Sequence, residues 1–206
     1  IDTIISPSYT SALAQVIQLS SISGKENNLI LLAFEESEKE RFAEILSNFK
    51  LLQATGFDVA IYKTDEEKIN KKEEIHVWIS SRDYENSNMM ILLSYIISSH
   101  PEWKRAKIKV FSIYPNQDEF ENYKKRMFSF IESGRLPISP LNLKMIPQNE
   151  EEGIKSIINK HSEKADLTIV GFRREVVKKQ KLAAFEGYEK LGNVLFVNSL
   201  TGKEIE

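Results

Sequence analysis

The sequence of 206 residues contains no cysteine, only 8 glycines and 6 prolines, and almost no net charge. Because there is no cysteine, disulfide bonds and thiolate metal sites are excluded, and nothing requires an oxidising compartment. The formal net charge of −2 gives no reason to expect nucleic acid or a membrane surface as the main partner. The hydrophobic fraction of 41% is still enough for a sizeable core.

Long hydrophobic runs are also missing. The longest nearly unbroken apolar run, residues 89–97, is about half the ~20 residues that a membrane-spanning helix needs. The chain begins with Ile1 and has no basic-then-apolar signal peptide. We therefore expect a soluble segment that was excised from, or matured out of, a longer protein.

The common catalytic motifs are absent as well. The sequence has no H-E-x-x-H, G-x-S-x-G, Walker A or G-x-G-x-x-G pattern, so we expect no enzyme activity, no cofactor and no metal. The three histidines, His76, His100 and His161, stand apart, and the helical stripe around His161 predicts a hydrogen-bonded core side chain. A serine–histidine–acid triad stays open, because its members come from distant parts of a chain.

What is present is an alternation of apolar runs and helical patterns. Continuous apolar runs predict strands at residues 28–34, 56–62, 75–80, 107–113, 142–146, 166–171 and 193–198. Helical periodicity separates them, in residues 37–53, 86–99, 118–133, 150–163 and 175–191, the first with Ser37 and Glu40 at capping-box spacing. This alternation predicts a mostly parallel sheet with right-handed crossovers.

The chain also contains an internal repeat. "NLILLAF", a helix and "GFDVAIYKTD" resemble "DLTIVGF", a helix and "GNVLFVNSLTG" near the C-terminus. We therefore divide the chain into a truncated first α/β repeat (1–65), a charged linker (66–74) and a complete repeat (75–206).

Two loops after predicted strands are candidate sites, because ligands of α/β sheets bind beyond the carboxyl ends of the strands. "SRDYENSN" offers Arg82 and Asp83, the latter as a base or metal ligand, and "FRREVVKKQK" offers Arg173 and Arg174 as anion ligands. Both loops lack the glycines that let backbone amides wrap a phosphate. A capping or solvated role therefore fits these residues better than a ligand site.

The stretch from residue 75 to 113 has a specific set of residues: Ile75, Val77, Trp78, Leu92, Leu93, Tyr95, Trp103, Lys104, Ala106, Ile108, Val110 and Phe111. With them it resembles the cytosolic C-terminal domain of cation–chloride cotransporters, Na-K-Cl cotransporter-like members of the amino acid–polyamine–organocation transporter superfamily. "KADLTIVGF" and "NNLILLAF" extend the resemblance to roughly residues 28–198, and the sequence resembles a prokaryotic member.

The resemblance implies a universal-stress-protein-like α/β fold. We expect a parallel sheet of order 3-2-1-4-5 in residues 75–202, extended by the two N-terminal strands of the truncated first repeat, with the last strand of each repeat joined antiparallel. It further implies a non-catalytic regulatory and dimerisation domain on the cytoplasmic side of the plasma membrane. Its partners would be its own transmembrane transport domain and a second copy, with no direct role in the ion pathway.

Two alternatives remain open at this point. One is a free-standing universal-stress-type nucleotide-binding protein, which would need a glycine-rich loop after Gly171. The other is an enzyme that uses Asp83 together with a residue of another loop.

Overall fold

The computed structural model describes residues 4–19, 28–65, 71–80, 84–114, 120–133, 142–148 and 152–200. Within these residues seven strands alternate with helices. The strands are β1 (Leu29–Glu35), β2 (Asp58–Thr64), β3 (Glu74–Ser80), β4 (Lys107–Tyr114), β5 (Leu143–Pro147), β6 (Leu167–Gly171) and β7 (Asn193–Asn198). The helices are α1 (Tyr9–Val16), α2 (Lys39–Ser47), α3 (Phe49–Ala54), α4 (Tyr84–Ser99), α5 (Phe120–Ser133), α6 (Ile154–Ser162) and α7 (Arg174–Gln180).

All seven strands form one sheet, in the order β1-β2-β7-β6-β3-β4-β5. Neighbouring strands are parallel, except that β2 and β7 pair antiparallel. Counted within β3–β7, this is the expected order 3-2-1-4-5. The expected antiparallel contact between β2 and β7 is also confirmed.

Helices cover both faces of the sheet. The chain moves outward from β3 to β4 and β5, then returns to β6 and β7 on the other side of β3. Right-handed crossovers therefore place α4 and α5 on one face and α6 and α7 on the other. We call these the α4 face and the α6 face. Two buried clusters separate accordingly: α4 and α5 pack on one side, and α1, α2, α3, α6 and α7 on the other.

The helix predicted after β1 is divided in two at Asn48. This side chain is 6% exposed, and its amide donates to the carbonyl one turn earlier at 2.9 Å. Asparagine side chains compete in this way for backbone groups and disfavour helix interiors. The predicted capping box of Ser37 and Glu40 is wrong, because the N-cap residue of α2 is Glu38. The side chain of Glu38 makes no capping bond to the helix and instead accepts from the Glu35 amide at 3.1 Å.

The helix predicted over residues 175–191 is shorter than expected. α7 ends at Gln180, because Lys181 has φ 50°, outside the helical region, and a short 3₁₀ turn follows at Lys181–Ala184. In the sequence Gly56 follows the first predicted helix, which indicates a helix stop. This is confirmed: α3 ends at Ala54, and the φ of 78° at Gly56 is one that glycine adopts without strain.

The two tryptophans lie on opposite faces of the sheet. In the sequence Trp78 and Trp103 bracket the apolar helix α4, a position that predicts that both pack on it. Trp103 does pack in the α4 cluster, but for Trp78 the prediction is wrong. The strict alternation of β3 directs Val77 to the α4 face and Trp78 to the α6 face, where Trp78 stacks on Phe111 with ring centroids 4.6 Å apart.

Candidate functional site

The candidate site residues predicted from the sequence follow the carboxyl ends of parallel strands. Arg82 and Asp83 lie outside the described residues. Arg173 is an exposed residue just before α7, and its side chain makes no capping bond to that helix. Arg174 is half-buried, and its Nε donates to Asn198 Oδ1 at the end of β7 over 2.7 Å. The structure therefore ties Arg174 to the sheet and leaves Arg173 in solvent.

Side-chain amides fill this edge of the sheet between β6 and β7. The carbonyl of Phe172 accepts from both Asn86 Nδ2, at 3.1 Å, and Asn198 Nδ2, at 3.0 Å. Asn86 Oδ1 in turn accepts from the Ser199 amide at 2.7 Å. Asn86 and Asn198 are 2% and 5% exposed. Because these groups satisfy one another, the described part of this edge offers a phosphate no free backbone amides in a glycine loop.

At the opposite edge of the sheet, a cavity that was not predicted from the sequence opens at the amino ends of the strands on the α6 face. Its volume is about 760 Å³, which is within the usual range for small-molecule sites. Strand register sets its floor: His76 pairs with Lys109 across β3 and β4, and Phe111 with Lys144 across β4 and β5. The end of α6 and the following turn form its wall with Lys160, His161, Glu163, Lys164 and Asp166.

A chain of hydrogen bonds crosses the floor of this cavity. Trp78 Nε1 donates to Ser162 Oγ at 2.8 Å, and Ser162 Oγ lies 2.8 Å from His76 Nδ1. His76 Nε2 lies 3.0 Å from Glu74 Oε2, and Lys109 Nζ donates to Glu74 Oε1 at 2.6 Å. Since a carboxylate only accepts, Nε2 is the protonated nitrogen of His76 and Nδ1 accepts from the serine hydroxyl.

The arrangement shifts the pKa values of two of its members. Burial lowers the pKa of His76 below its ordinary value, although the hydrogen bond to Glu74 opposes this. Burial alone would raise the pKa of Glu74, but the hydrogen bonds from Lys109 and His76 outweigh it and lower that pKa. A neutral imidazole next to an ionised carboxylate is the state that these bonds favour.

Serine, histidine and glutamate here have the residue types of a hydrolase triad, the possibility that the sequence left open. Ser162, however, has 0% of its surface exposed, and its hydroxyl oxygen already accepts from Trp78. A nucleophile must reach the substrate and have its lone pair available. The three residues therefore hold α6 onto β3 and are not a catalytic centre.

Asp166, the residue before β6, holds the backbone that leads into β3. Its Oδ1 accepts from the Lys71 amide at 2.7 Å, and its Oδ2 accepts from the amides of Glu73 and Glu74 at 2.8 and 2.9 Å. A carboxylate that receives three backbone donors replaces the sheet partners that these amides lack. The segment that leads into β3 is thus anchored below the cavity.

His161 differs from its prediction. It is half-buried at the cavity wall, with its ring 6.2 Å from both Trp78 and Phe111, and it makes no side-chain hydrogen bond within the described residues. Burial, reinforced by Lys144 and Lys160, lowers the pKa of His161 below its ordinary value. The hydrogen-bonded core histidine is instead His76.

One signal for this site was present in the sequence. In "EIHVWI" the residues Glu74, His76 and Trp78 alternate with Ile75, Val77 and Ile79. Polar residues on one face of a strand buried on both sides require partners. Which residues provide them depends on strand order and helix placement, and local sequence does not give that.

The fold and this site define a universal-stress-protein-like α/β domain with a polar cavity at the amino edge of its sheet. A family model described as solute carrier family 12 matches residues 20–184. The chain belongs to that family, which is one of transporters and not generally catalytic. No helix within the described residues is long and apolar enough to cross a membrane.

Solved structures agree on the fold. The cytoplasmic domain of a prokaryotic cation chloride cotransporter is 18% identical with a TM-score of 0.62, over 95% of this chain and 71% of that one. A universal stress protein from Archaeoglobus fulgidus DSM 4304 is 10% identical with a TM-score of 0.52, over 94% of this chain and 67% of that one. A search of curated proteins gave no match.

Proposed function

We propose that this chain is a non-catalytic cytosolic domain of a cation–chloride cotransporter-type membrane transporter, where it regulates transport and mediates homodimerisation. The observation that carries the proposal is the family match across residues 20–184. The similarity of fold to the cytoplasmic domain of a prokaryotic cation chloride cotransporter supports it. On this view the domain is attached to a transmembrane part and takes no direct part in the ion pathway.

We also propose that residues 1–65 belong to an incomplete first repeat, joined by a linker at 66–74 to a complete repeat at 75–206. The repeat aligns Leu31 of β1 with Ile169 of β6. Leu31 is 63% exposed, whereas Ile169 is 0% exposed beneath α4. An equivalent of β3 and α4, placed along the open side of β1, would cover Leu31 in the same way.

A cysteine probe tests this second proposal, because the chain contains no cysteine of its own. In Leu31→Cys we expect fast maleimide labelling in the isolated chain and strong protection in the full-length protein. Leu182→Cys, at a 37% exposed position on the α6 face, is the control and should label in both. Equal labelling of Leu31→Cys in the two proteins would refute an incomplete repeat.

For the dimer contact we propose the outward stripe of α4. Leu92, Tyr95 and Ile96 follow one another at helical spacing; Leu92 and Tyr95 are half-buried and pack in part against the core, and Ile96 is 56% exposed. Surface helices normally present polar residues to solvent, so an apolar outward stripe marks a contact surface. A two-fold dimer would place the same stripe of a second copy against it.

Sedimentation velocity over a range of concentrations tests the dimer. We expect reversible self-association of the isolated chain, weakened because the membrane half no longer raises the local concentration. Ile96→Glu should abolish it, since it places a charge in the contact, while Leu182→Glu should leave it unchanged. A strict monomer at high concentration, or loss of association in Leu31→Glu but not in Ile96→Glu, would refute the α4 contact.

Regulation is tested in the full-length transporter. Ile96→Glu should lower the dimer fraction and change the rate of chloride-dependent cation uptake into proteoliposomes, with unchanged amounts of inserted protein. An unchanged rate in a protein that has become monomeric would remove the regulatory role and leave only the attachment.

A further inference from the structure

The cavity at the amino edge has a topological cause. α4 and α5, which connect β3, β4 and β5, both pack on the α4 face. On the α6 face, α6 packs beside Trp78 through Ile157 and Ile158, and the amino halves of β4 and β5 carry no helix within the described residues. The cavity therefore follows from the reversal of chain direction after β5 and is a fixed feature of the fold.

Two of the four carboxylates that line the cavity are already engaged. Glu74 binds His76 and Lys109, and Asp166 accepts three backbone amides. The remaining acidic residues of the lining, Glu73 and Glu163, are exposed. The carboxylates that hold the floor are thus not available to neutralise further lysines.

Several lysines of the lining have no such partner. Lys144, Lys160 and Lys164 form no ion pair within the described part of the chain. Lys144 comes from β5 on the floor, and Lys160 and Lys164 come from the end of α6 and its following turn. Lysines from separate elements therefore face one cavity, beside the exposed carboxylates of Glu73 and Glu163.

His161 lies close to two of these lysines. Lys144 and Lys160, from different elements, both lower the pKa of His161, and Glu152 opposes them. The ring lies beside the stacked pair of Trp78 and Phe111, at 6.2 Å from each. The site thus combines lysines from two elements with an aromatic floor.

We propose that this cavity binds a small phosphate-bearing molecule, with Lys144 and Lys160 as ligands of the phosphate oxygens and Phe111 and His161 against its organic part. Lysine is a common phosphate ligand that acts as a point charge. A volume of about 760 Å³ is that of a site for a small molecule and exceeds what a single ion needs. The phosphate can belong to a soluble metabolite or to a lipid headgroup, which the experiment separates.

Isothermal titration calorimetry with inorganic pyrophosphate at low ionic strength tests the charge cluster. We expect binding to the wild-type chain, and Lys144→Gln and Lys160→Gln each to weaken it about ten-fold or more, since each removes a charge-assisted bond. Lys179→Gln, an exposed position on α7 away from the cavity, is the matched control for loss of one surface charge. Thermal unfolding of each variant checks that the fold is kept.

Two further measurements identify the source of the phosphate. Flotation with phosphatidylcholine vesicles that contain phosphatidic acid tests a lipid headgroup, and glucose 6-phosphate in the calorimeter tests a soluble organic phosphate. Binding of either probe that is lost in Lys144→Gln and Lys160→Gln supports the site and names its source. The proposal is overturned if no probe binds, or if Lys179→Gln weakens binding as much as the two cavity variants.

Discussion

Ser162 joins the side chains of Trp78 and His76 beneath the cavity, and replacing it with alanine tests whether these bonds stabilise the domain. In Ser162→Ala the hydroxyl that accepts from Trp78 at 2.8 Å and lies 2.8 Å from His76 is lost. The substitution removes one oxygen atom and leaves the surrounding packing almost unchanged. Its effect therefore measures the hydrogen bonds.

The magnitude follows from burial. Trp78 is 3% exposed, so its indole N–H is left without a partner and without water. An orphaned buried donor costs about 1–3 kcal/mol, and the lost bond to His76 adds about 0.5–1.5 kcal/mol. We therefore expect a fall of about 2–4 kcal/mol in the free energy of unfolding.

Urea unfolding followed by tryptophan fluorescence measures this fall, and the slope of the transition should not change. Ser156→Ala is the matched control: Ser156 lies on the same helix, is exposed, and bonds only to Glu152 at 3.1 Å. Its cost should stay below about 0.5 kcal/mol. In a Trp78→Phe background, which lacks the indole donor, Ser162→Ala should cost about 1 kcal/mol less. Equal costs for the two serine substitutions would refute the reasoning.

Three more predictions concern stability. Burial lowers the pKa of His76 in the folded chain, so the unfolded chain binds a proton first as the pH falls. The free energy of unfolding should therefore decrease as the pH drops through about 6.5. The urea midpoint of His76→Gln should depend less on pH than that of the wild-type chain. Asp166→Asn should cost at least about 2 kcal/mol in urea unfolding, because an amide cannot accept all three backbone donors. Gly187→Ala should lower the free energy of unfolding by about 1–3 kcal/mol, since φ is 87° and the added Cβ would lie 2.9 Å from Lys155 Cδ. The control is Gly153→Ala, whose Cβ meets nothing within 4 Å and which should cost under about 1 kcal/mol.

The sequence predicted the sheet well because each strand has its own signal. Continuous apolar runs located the seven strands of the described residues, and the antiparallel contact between β2 and β7 was expected together with the fold that the family resemblance implies. Helix ends were less predictable, since Asn48 and Lys181 interrupt helices through backbone conformations that helical periodicity does not record. The cavity could not be predicted, because it depends on which strands remain without a helix above them.

The difference between local signals and tertiary contacts also explains why the prediction for His161 was wrong and why none was made for His76. On a helix, His161 shares its stripe with isoleucines, and the pattern alone suggests burial. The actual surroundings of His161 come from β3, β4 and β5, on which α6 packs only after the chain has reversed direction. His76 acquires its partner Ser162 across 86 residues of sequence. Neither relationship has a local signature.

The cavity and the α4 stripe lie on opposite faces of β3, which raises the question of whether they influence each other. Ile75, Val77 and Ile79 pack under α4, while His76 and Trp78 face the cavity. Coupling would require β3 or α4 to adopt a second position, but a closely packed core and a satisfied hydrogen-bond chain resist such a shift. We therefore expect pyrophosphate to bind Ile96→Glu and the wild-type chain with equal affinity. Because coupling is reciprocal, a difference between the two would show that occupancy of the cavity also alters self-association, and that β3 transmits the change.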